Sequence, residues 1–344
     1  MKILSKLSMI ISTLMFSIIT YANADIKVVT SIKPIHSITS YIMDGVGSPD
    51  LIVDGYNSPH NFQLKPSHAK MLQNADLVIF VGKGIEEFLE KPLESIAKDA
   101  KKFALLEQSG FKKLKFREKN IFEEHDDHED HDDHDDHDKK AKKKDDHDDH
   151  DDHDHDKEAK KKDDHDDHGH DDHGHGHGEY DPHIWLDPIN AKAMIKKITK
   201  LLSKMDKENS STYKSNSKKA IKEIDMMVKE IKSEMNKDLK FVVFHDAYQY
   251  FENRFDISVL GALTVNTDVL PGAEQLSEIR EVIEHENVNC IFSEPQFNPD
   301  IINAIAMDTN VKTGILDPLG ATLEPGKDLY FDLIKNISKS FKGC

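Results

Sequence analysis

Short apolar runs alternate with amphipathic stretches along most of the chain. The runs rich in β-branched residues favour strands and occupy residues 26–31, 51–53, 77–82, 241–246, 259–263, 290–295 and 311–318. The stretches between them place apolar residues every three or four positions and predict helices over residues 34–43, 64–76, 86–101, 189–205, 210–236, 271–287 and 298–309. Strands alternating with helices predict an α/β protein with mostly parallel sheets.

One predicted helix is long enough to join two separate parts of the molecule. Its apolar residues share one helical face and are Tyr213, Ala220, Ile224, Val228, Ile231 and Met235. Twenty-seven helical residues would span roughly 40 Å at 1.5 Å per residue. We therefore expect two (β/α) lobes, over residues 25–205 and 239–344, joined by a linker helix within residues 206–238.

The first 24 residues have the pattern of a secretory signal. Lys2 and Lys6 precede an apolar run over residues 7–19, and Ala-Asn-Ala follows at residues 22–24. This order is typical of a cleavable signal peptide, so we expect the mature protein to begin near Asp25. The apolar run is too short for a membrane span. The prediction is an exported protein, most simply of a bacterial periplasm.

A strongly acidic, histidine-rich run lies between residues 123 and 179. It contains 27 Asp or Glu against 9 Lys, and its net charge of −18 equals the formal charge of the whole protein. Dense charge with few apolar residues predicts a disordered insert. Because imidazole is a ligand for zinc, copper, nickel and iron, we expect weak accessory metal binding, with a merely solvating insert as the alternative. The histidines concerned are His125, His128, His131, His134, His137, His147, His150, His153, His155, His165, His168, His170, His173, His175 and His177.

The two cysteines of the chain are Cys290 and Cys344. An even pair in an exported protein predicts a disulfide, which would tie the C-terminus to a predicted strand. A metal site built on the two thiolates is the weaker alternative, because no other residues with ligand spacing flank them.

Three histidines and one aspartate occupy equivalent places in the predicted lobes. His60 follows the strand over 51–53, His183 precedes a predicted helix, and His245 and Asp317 lie at strand ends. Ligands of parallel sheets bind beyond the carboxyl ends of the strands, and zinc favours tetrahedral coordination by nitrogen and oxygen. These four side chains are therefore the predicted zinc ligands. Each of them alone also fits a structural role, and water could replace Asp317.

Six characteristic segments follow one another along the chain, with a histidine-acid insert after the first. In order, they are SPHNFQLKPS, HIWLDP, VFHDAYQYFE, LPGAEQLSEIR, FSEPQF and LDPLGA. In this, the chain resembles the ZnuA family of zinc-binding proteins of bacterial ABC importers over essentially its whole mature length. The resemblance implies two lobes joined by a long helix, with metal held between them by His60, His183 and His245. It leaves the fourth position to Asp317, to Glu86 or to solvent.

The resemblance implies that the chain captures Zn²⁺ in the periplasm and delivers it to a membrane permease. Related manganese binders place a carboxylate where His245 stands, and nitrogen at that position independently favours zinc. We expect a monomer that binds no nucleic acid, because no basic patch offsets the acidic run. A metal buffer or metal-dependent adhesin is the first alternative. A zinc hydrolase is less favoured, because the H-E-x-x-H motif is absent and Glu294 better fits a supporting role than that of a base.

Overall fold

The computed structural model describes residues 26–122 and 179–344, apart from residues 266, 268 and 270. Strands alternate with helices through this part of the chain. The strands are β1 (Val28–Ile32), β2 (Asp50–Val53), β3 (Leu77–Phe80), β4 (Lys101–Ala104), β5 (Lys240–His245), β6 (Ser258–Thr264), β7 (Cys290–Ser293) and β8 (Lys312–Ile315). The helices are α1 (Lys33–Met43), α2 (Pro66–Gln73), α3 (Glu90–Ser95), α4 (Pro188–Met205), α5 (Ser210–Glu234), α6 (Gln249–Phe255), α7 (Ala273–His285), α8 (Asp300–Thr309) and α9 (Leu329–Gly343).

The strands form two four-stranded sheets, which confirms the predicted α/β class with two lobes. The order is β2-β1-β3-β4 in the sheet of the first lobe and β6-β5-β7-β8 in the sheet of the second lobe. All neighbouring strands are parallel. Both lobes therefore have the same strand order, with the first strand of each lobe inside its sheet and the second at one edge.

The inner strands are buried on both faces, as expected for parallel sheets covered by helices. All five residues of β1 are buried, and so are the last five residues of β5. Because water reaches neither face of the sheet, nearly all side chains of these strands can be apolar. Polar side chains are consequently concentrated where the strands end, and the loops at the carboxyl ends carry the candidate ligands.

The helix α4 begins where the sequence predicts it. Asp187 is its N-cap, and a carboxylate oxygen of Asp187 accepts a hydrogen bond from the Ile189 amide at 2.8 Å. Pro188 occupies the first helical position, where its missing N–H is not needed. Arg254 binds both carboxylate oxygens of Asp187 at 2.7 Å. This pair fixes the start of α4, and with it the loop that contains His183.

Two helices connect the lobes. The 25-residue helix α5 lies between the last helix of the first lobe and β5. The C-terminal helix α9 also contacts both lobes, since the Tyr330 hydroxyl donates to the Trp185 carbonyl at 2.9 Å and the Phe341 ring packs on Phe251. A disulfide between Cys290 and Cys344 ties the end of α9 to β7 and confirms the predicted pairing.

Some elements differ from the sequence-based expectation. The predicted helix over residues 86–101 is wrong in length, because the chain forms a short 3₁₀ turn at Glu87–Leu89 and then only the six residues of α3. Pro92 has no backbone N–H and cannot extend a helix that begins at residue 86. The strand β4 and the helices α6 and α9 were not predicted.

No helix within the described ranges is long and apolar enough to cross a lipid bilayer. The predicted signal peptide over residues 1–24 and the fifteen histidines of the acidic run lie outside the described residues. The expectations for both segments therefore stay predictions.

Candidate metal centre

Three histidines from separate parts of the chain converge at one point. The ring centroids of His60 and His183 are 5.7 Å apart, those of His60 and His245 are 5.2 Å apart, and those of His183 and His245 are 4.9 Å apart. One ring nitrogen of each histidine lies within 4.8 Å of the other two. A tetrahedral zinc ion with bonds of 2.0–2.1 Å needs nitrogens about 3.4 Å apart. Small side-chain movements would therefore complete a three-nitrogen site.

The folding of both lobes positions these rings. His245 is the last residue of β5, an inner strand of the second sheet, and it is only 4 % exposed. His183 immediately precedes the 3₁₀ turn Ile184–Leu186 and is 3 % exposed. His60 lies in the loop after β2, where its backbone amide donates to the Ser58 hydroxyl, and its side chain is partly exposed. The site therefore has two buried candidate ligands and one that is partly exposed to solvent.

Asp181 orients the ring of His183. One carboxylate oxygen of Asp181 lies 2.7 Å from Nδ1 of His183 and also accepts the His183 amide hydrogen at 2.9 Å. A hydrogen bond at Nδ1 places that ring proton on the carboxylate side and leaves Nε2 for a metal, as is common for metal-binding histidines. Burial, followed by the charge of His245, holds the pKa of His183 well below its ordinary value. His183 is consequently a neutral imidazole, the form that binds metal.

Glu294 has the corresponding place beside His245. Its carboxylate lies 3.5 Å from Nδ1 of His245 and accepts a hydrogen bond from the Tyr248 hydroxyl at 3.1 Å. Burial lowers the pKa of His245, but the charge and hydrogen bonding of Glu294 and the charges of Asp246 and Asp181 together leave that pKa above its ordinary value. Burial also raises the pKa of Asp181 to about 7. Each of the two buried histidines thus has a buried carboxylate near its Nδ1.

The space between the three rings is small and largely apolar. Its volume is about 10 Å³, which is enough for one ion or one water molecule. Besides the histidines, it is lined by Ser58, Pro59, Ile85, Trp185, Glu294, Gln296, Phe297, Pro318 and Leu319. A space of this size and lining fits a single cation held by imidazole nitrogen.

Asp317 lies outside the three-histidine group of the described residues. One of its carboxylate oxygens accepts hydrogen bonds from the Gln296 amide at 3.0 Å and from the backbone amides of Leu319 and Gly320 at 3.1 and 2.9 Å. The other oxygen accepts the Ala321 amide hydrogen at 2.6 Å. In this geometry the carboxylate holds the loop over residues 318–321. Direct coordination of a metal would have to replace some of these bonds.

Glu86 and the remaining described histidines also lie outside the group. Glu86 is buried, and its carboxylate accepts the Gly82 amide hydrogen at 2.8 Å. His36 is buried with Nε2 3.1 Å from the Pro49 carbonyl oxygen, and His68 accepts the Lys65 amide hydrogen at the start of α2. Both histidines have structural partners, in line with their omission from the predicted ligands.

The sequence pattern did not reveal Asp181 as a partner of the metal centre. Asp181 precedes His183 by two residues, and this short spacing allows the side-chain contact that the structure contains. The two-residue spacing alone could have indicated this side-chain contact. Arg117, which binds carboxylates of the second lobe, lies in a segment without a clear apolar pattern and gave no such indication.

Residues 28–344 match the family model described as ZnuA, zinc-uptake complex component A, periplasmic. The chain is 46 % identical over 319 residues to the high-affinity zinc uptake system protein ZnuA of Brucella abortus, a match covering 92 % of this chain and 91 % of the relative. It is 40 % identical over 346 residues to the protein of the same name from Haemophilus influenzae, a match covering 100 % of this chain and 99 % of the relative.

Solved structures share the fold. A crystal structure of ZnuA superimposes with a TM-score of 0.66 at 19 % identity, covering 92 % of this chain and 99 % of that one. A zinc-bound ZnuA lacking residues 138–173 of its own chain superimposes with a TM-score of 0.64 at 20 % identity, covering 91 % of this chain and 95 % of that one. At these identities the likeness is one of architecture.

Proposed function

We propose, from the premise that this chain belongs to the ZnuA family of periplasmic zinc-uptake components, that it captures Zn²⁺ on the three-histidine site and delivers it to a cognate ABC permease. The family is a solute-binding component of high-affinity zinc uptake, so the protein is not an enzyme and zinc is its transported substrate. No bond of the substrate has to be made or broken. The site has only to bind the ion and release it.

One observation carries the assignment of the ligands. The ring nitrogens of His60, His183 and His245 lie within 4.8 Å of one another in a small, largely apolar space, and they come from both lobes. A site of three imidazole nitrogens favours zinc over magnesium, calcium or manganese, which prefer oxygen ligands. A fourth position completed by water or by Asp317 would give the tetrahedral geometry that zinc prefers.

Further parts of the proposal concern the route of the ion. The signal-like residues 1–24 support export to the periplasm, where an importer's binding protein acts. We propose a monomer, because the three ligands come from a single chain. The histidines between residues 125 and 177 would bind zinc weakly and transfer it to the site. This is supported only by their number and ligand chemistry.

A zinc titration of the metal-free protein in competition with a chromophoric chelator tests the assignment. His183→Gln is expected to weaken the tight site at least about 100-fold, beyond the usual effect of losing only an outer partner of a ligand. The matched control is His285→Gln, because His285 is exposed at the end of α7 and lies outside the group. Unchanged tight binding in His183→Gln would contradict the proposed ligands.

A further inference from the structure

The segment over residues 112–122, which we call the strap, contacts both lobes without forming a helix or a named strand. At its beginning, the Lys112 amide donates to the Asn190 side chain, whose own amide donates back to the Lys112 carbonyl, both at 2.9 Å. At its end, the Phe122 amide donates to the Leu260 carbonyl at 2.8 Å, beside the edge strand β6. The strap is therefore bonded to α4 in the first lobe and to the sheet of the second lobe.

The middle of the strap holds the backbone of Asp181. The Asp181 amide donates to the Leu114 carbonyl at 2.9 Å. The Tyr250 hydroxyl accepts the Leu114 amide hydrogen at 3.0 Å and donates to the Asp181 carbonyl at 2.8 Å. Since the Asp181 carboxylate fixes the ring of His183, the position of the strap determines the position of that ring.

Arg117 connects the strap to the residue that follows His245. Its guanidinium donates to the Asp246 carboxylate at 2.9 Å and to both carboxylate oxygens of Glu252 at 2.5 and 3.2 Å. Asp246 and Glu252 are each only 6 % exposed. Removing the guanidinium would leave two buried carboxylates without their cation, which is strongly unfavourable. The two carboxylates therefore hold Arg117 firmly, and through it the strap.

We propose, building on the metal site proposed above, that Arg117 is a positioning residue that sets the distance between His183 and His245. The chain of contacts runs from His183 through Asp181 to the strap, and from Arg117 through Asp246 to His245. These contacts join the two histidines through the strap. Tetrahedral coordination tolerates displacements of only a few tenths of an ångström in its ligands, so a loose strap would lower both affinity and discrimination.

The substitution Arg117→Gln in the full-length protein tests this role, with Arg117→Lys as the conservative variant. Lysine keeps the charge but cannot bind two carboxylates in the fork geometry of arginine. The matched control is Arg280→Gln, which removes a partly exposed arginine paired with Asp308 on the second lobe, outside the metal centre. Zinc affinity is measured by chelator competition. Ligand geometry is measured from the visible absorption of bound Co²⁺, which is intense only in tetrahedral sites.

We expect Arg117→Gln to raise the dissociation constant for zinc by about 10- to 100-fold, the usual effect of losing an outer-shell partner. We also expect the Co²⁺ absorption to weaken, Arg117→Lys to give an intermediate result, and Arg280→Gln to match the wild type. A purely structural salt bridge would lower stability without altering the Co²⁺ spectrum. An Arg117→Gln protein with zinc affinity within threefold of the wild type and an unchanged spectrum would overturn the proposal.

A second variant decides the question if Arg117→Gln does not fold. A Cβ added at Gly261 would lie 2.8 Å from the Asn120 carbonyl oxygen, so Gly261→Ala would push the end of the strap away from β6 without touching a carboxylate. A weakened Co²⁺ spectrum in Gly261→Ala supports the proposal, and an unchanged spectrum contradicts it. Failure of the ligand assignment itself would be seen separately, as tight zinc binding that survives His183→Gln.

Discussion

Glu86 is a buried carboxylate whose ionisation should affect the stability of the first lobe. It is 2 % exposed, and burial raises its pKa to about 7 from an ordinary 4.5. Between these two values the folded chain keeps a proton that the unfolded chain has released. The free energy of unfolding must therefore fall as the pH rises through this window, by an amount on the order of 3 kcal/mol.

Glu86→Gln should remove this contribution, since glutamine does not titrate. The measurement is urea unfolding of the metal-free protein between about pH 5 and pH 8. We expect the variant to gain stability relative to the wild type as the pH rises. Glu87→Gln is the matched control, because Glu87 is exposed next to it. The buried acids Asp181 and Glu252 remain in all three proteins, so the test compares the difference in the free energy of unfolding between each variant and the wild type. If the free energies of unfolding of Glu86→Gln and the wild type change in parallel with pH, this account is contradicted.

Asp317 can be tested as a loop residue against its predicted role as a ligand. Its carboxylate accepts bonds from the amides of Leu319, Gly320 and Ala321, so Asp317→Asn should lower the free energy of unfolding by about 1–3 kcal/mol. With water in the fourth position, zinc affinity should fall by less than tenfold. Chelator competition and urea unfolding measure the two effects. The control is Glu324→Gln, an exposed carboxylate in the same region, and a loss as large as that of His183→Gln would identify Asp317 as a direct ligand.

The three histidines could be found from the sequence because each follows a strand or precedes a helix in a readable place. Their carboxylate partners were harder to recognise. Asp181 lies close in sequence to its histidine, whereas Glu294 reaches His245 only because β5 and β7 are neighbours in the sheet. The strap residue Arg117 depends on packing between lobes, which local pattern does not encode. The contacts of these partners therefore depend on the fold, whereas the convergence of the three histidines could be predicted from the sequence.

The edge strand β8 packs closely on its neighbour at Gly314. A Cβ added there would lie 2.4 Å from the Phe292 ring and 3.5 Å from the Cys344 sulfur. Because Phe292 is fully buried, the ring cannot move away freely. Gly314→Ala should therefore lower the free energy of unfolding by about 1–3 kcal/mol, the usual effect of overpacking.

Urea unfolding of Gly314→Ala measures this effect. Gly326→Ala is the matched control, since a Cβ at Gly326 would meet no atom within 4 Å and should change stability by less than about 0.5 kcal/mol. Equal stabilities for the two variants would show that β8 can shift to accept a side chain. The zinc affinity of both proteins should stay that of the wild type, because neither glycine lines the cavity.

The elements differ in how well their sequences predict them. The buried strands β1, β3 and β5 are mostly apolar, and the sequence pattern predicts them. The strand β4 consists of two lysines, a phenylalanine and an alanine, and it forms because β3 offers an unpaired edge. The helix α9 has an apolar face in its sequence, with Leu329, Leu333 and Ile337 on one side. Pairing with β3 explains β4, which local sequence does not predict. The helix α9 is encoded by its own helical spacing of apolar residues.

The net negative charge of the chain is concentrated in one segment of its sequence. The acidic run between residues 123 and 179 carries a net charge of −18, and the rest of the chain is neutral with 37 acidic and 37 basic residues. The strap ends at Phe122 where this run begins, and Tyr180 pairs with Lys115 of the strap where the run ends. The described residues on either side of the run therefore belong to the strap or pair with it. So many negative charges close together in the sequence would attract divalent cations.

Deleting residues 125–177 should remove the weak zinc sites and leave one tight site per protein, because the three histidines of the metal centre lie outside the deleted range. Zinc stoichiometry by equilibrium dialysis and affinity by chelator competition measure the two classes of site. The matched control replaces the fifteen histidines by serine and keeps the length and negative charge. If the histidines bind the weak zinc ions, both proteins should lose the weak sites. If the carboxylates bind them, the serine variant should keep the weak sites. Loss of the tight site on deletion would place the ligands within the acidic run and contradict the proposed metal centre.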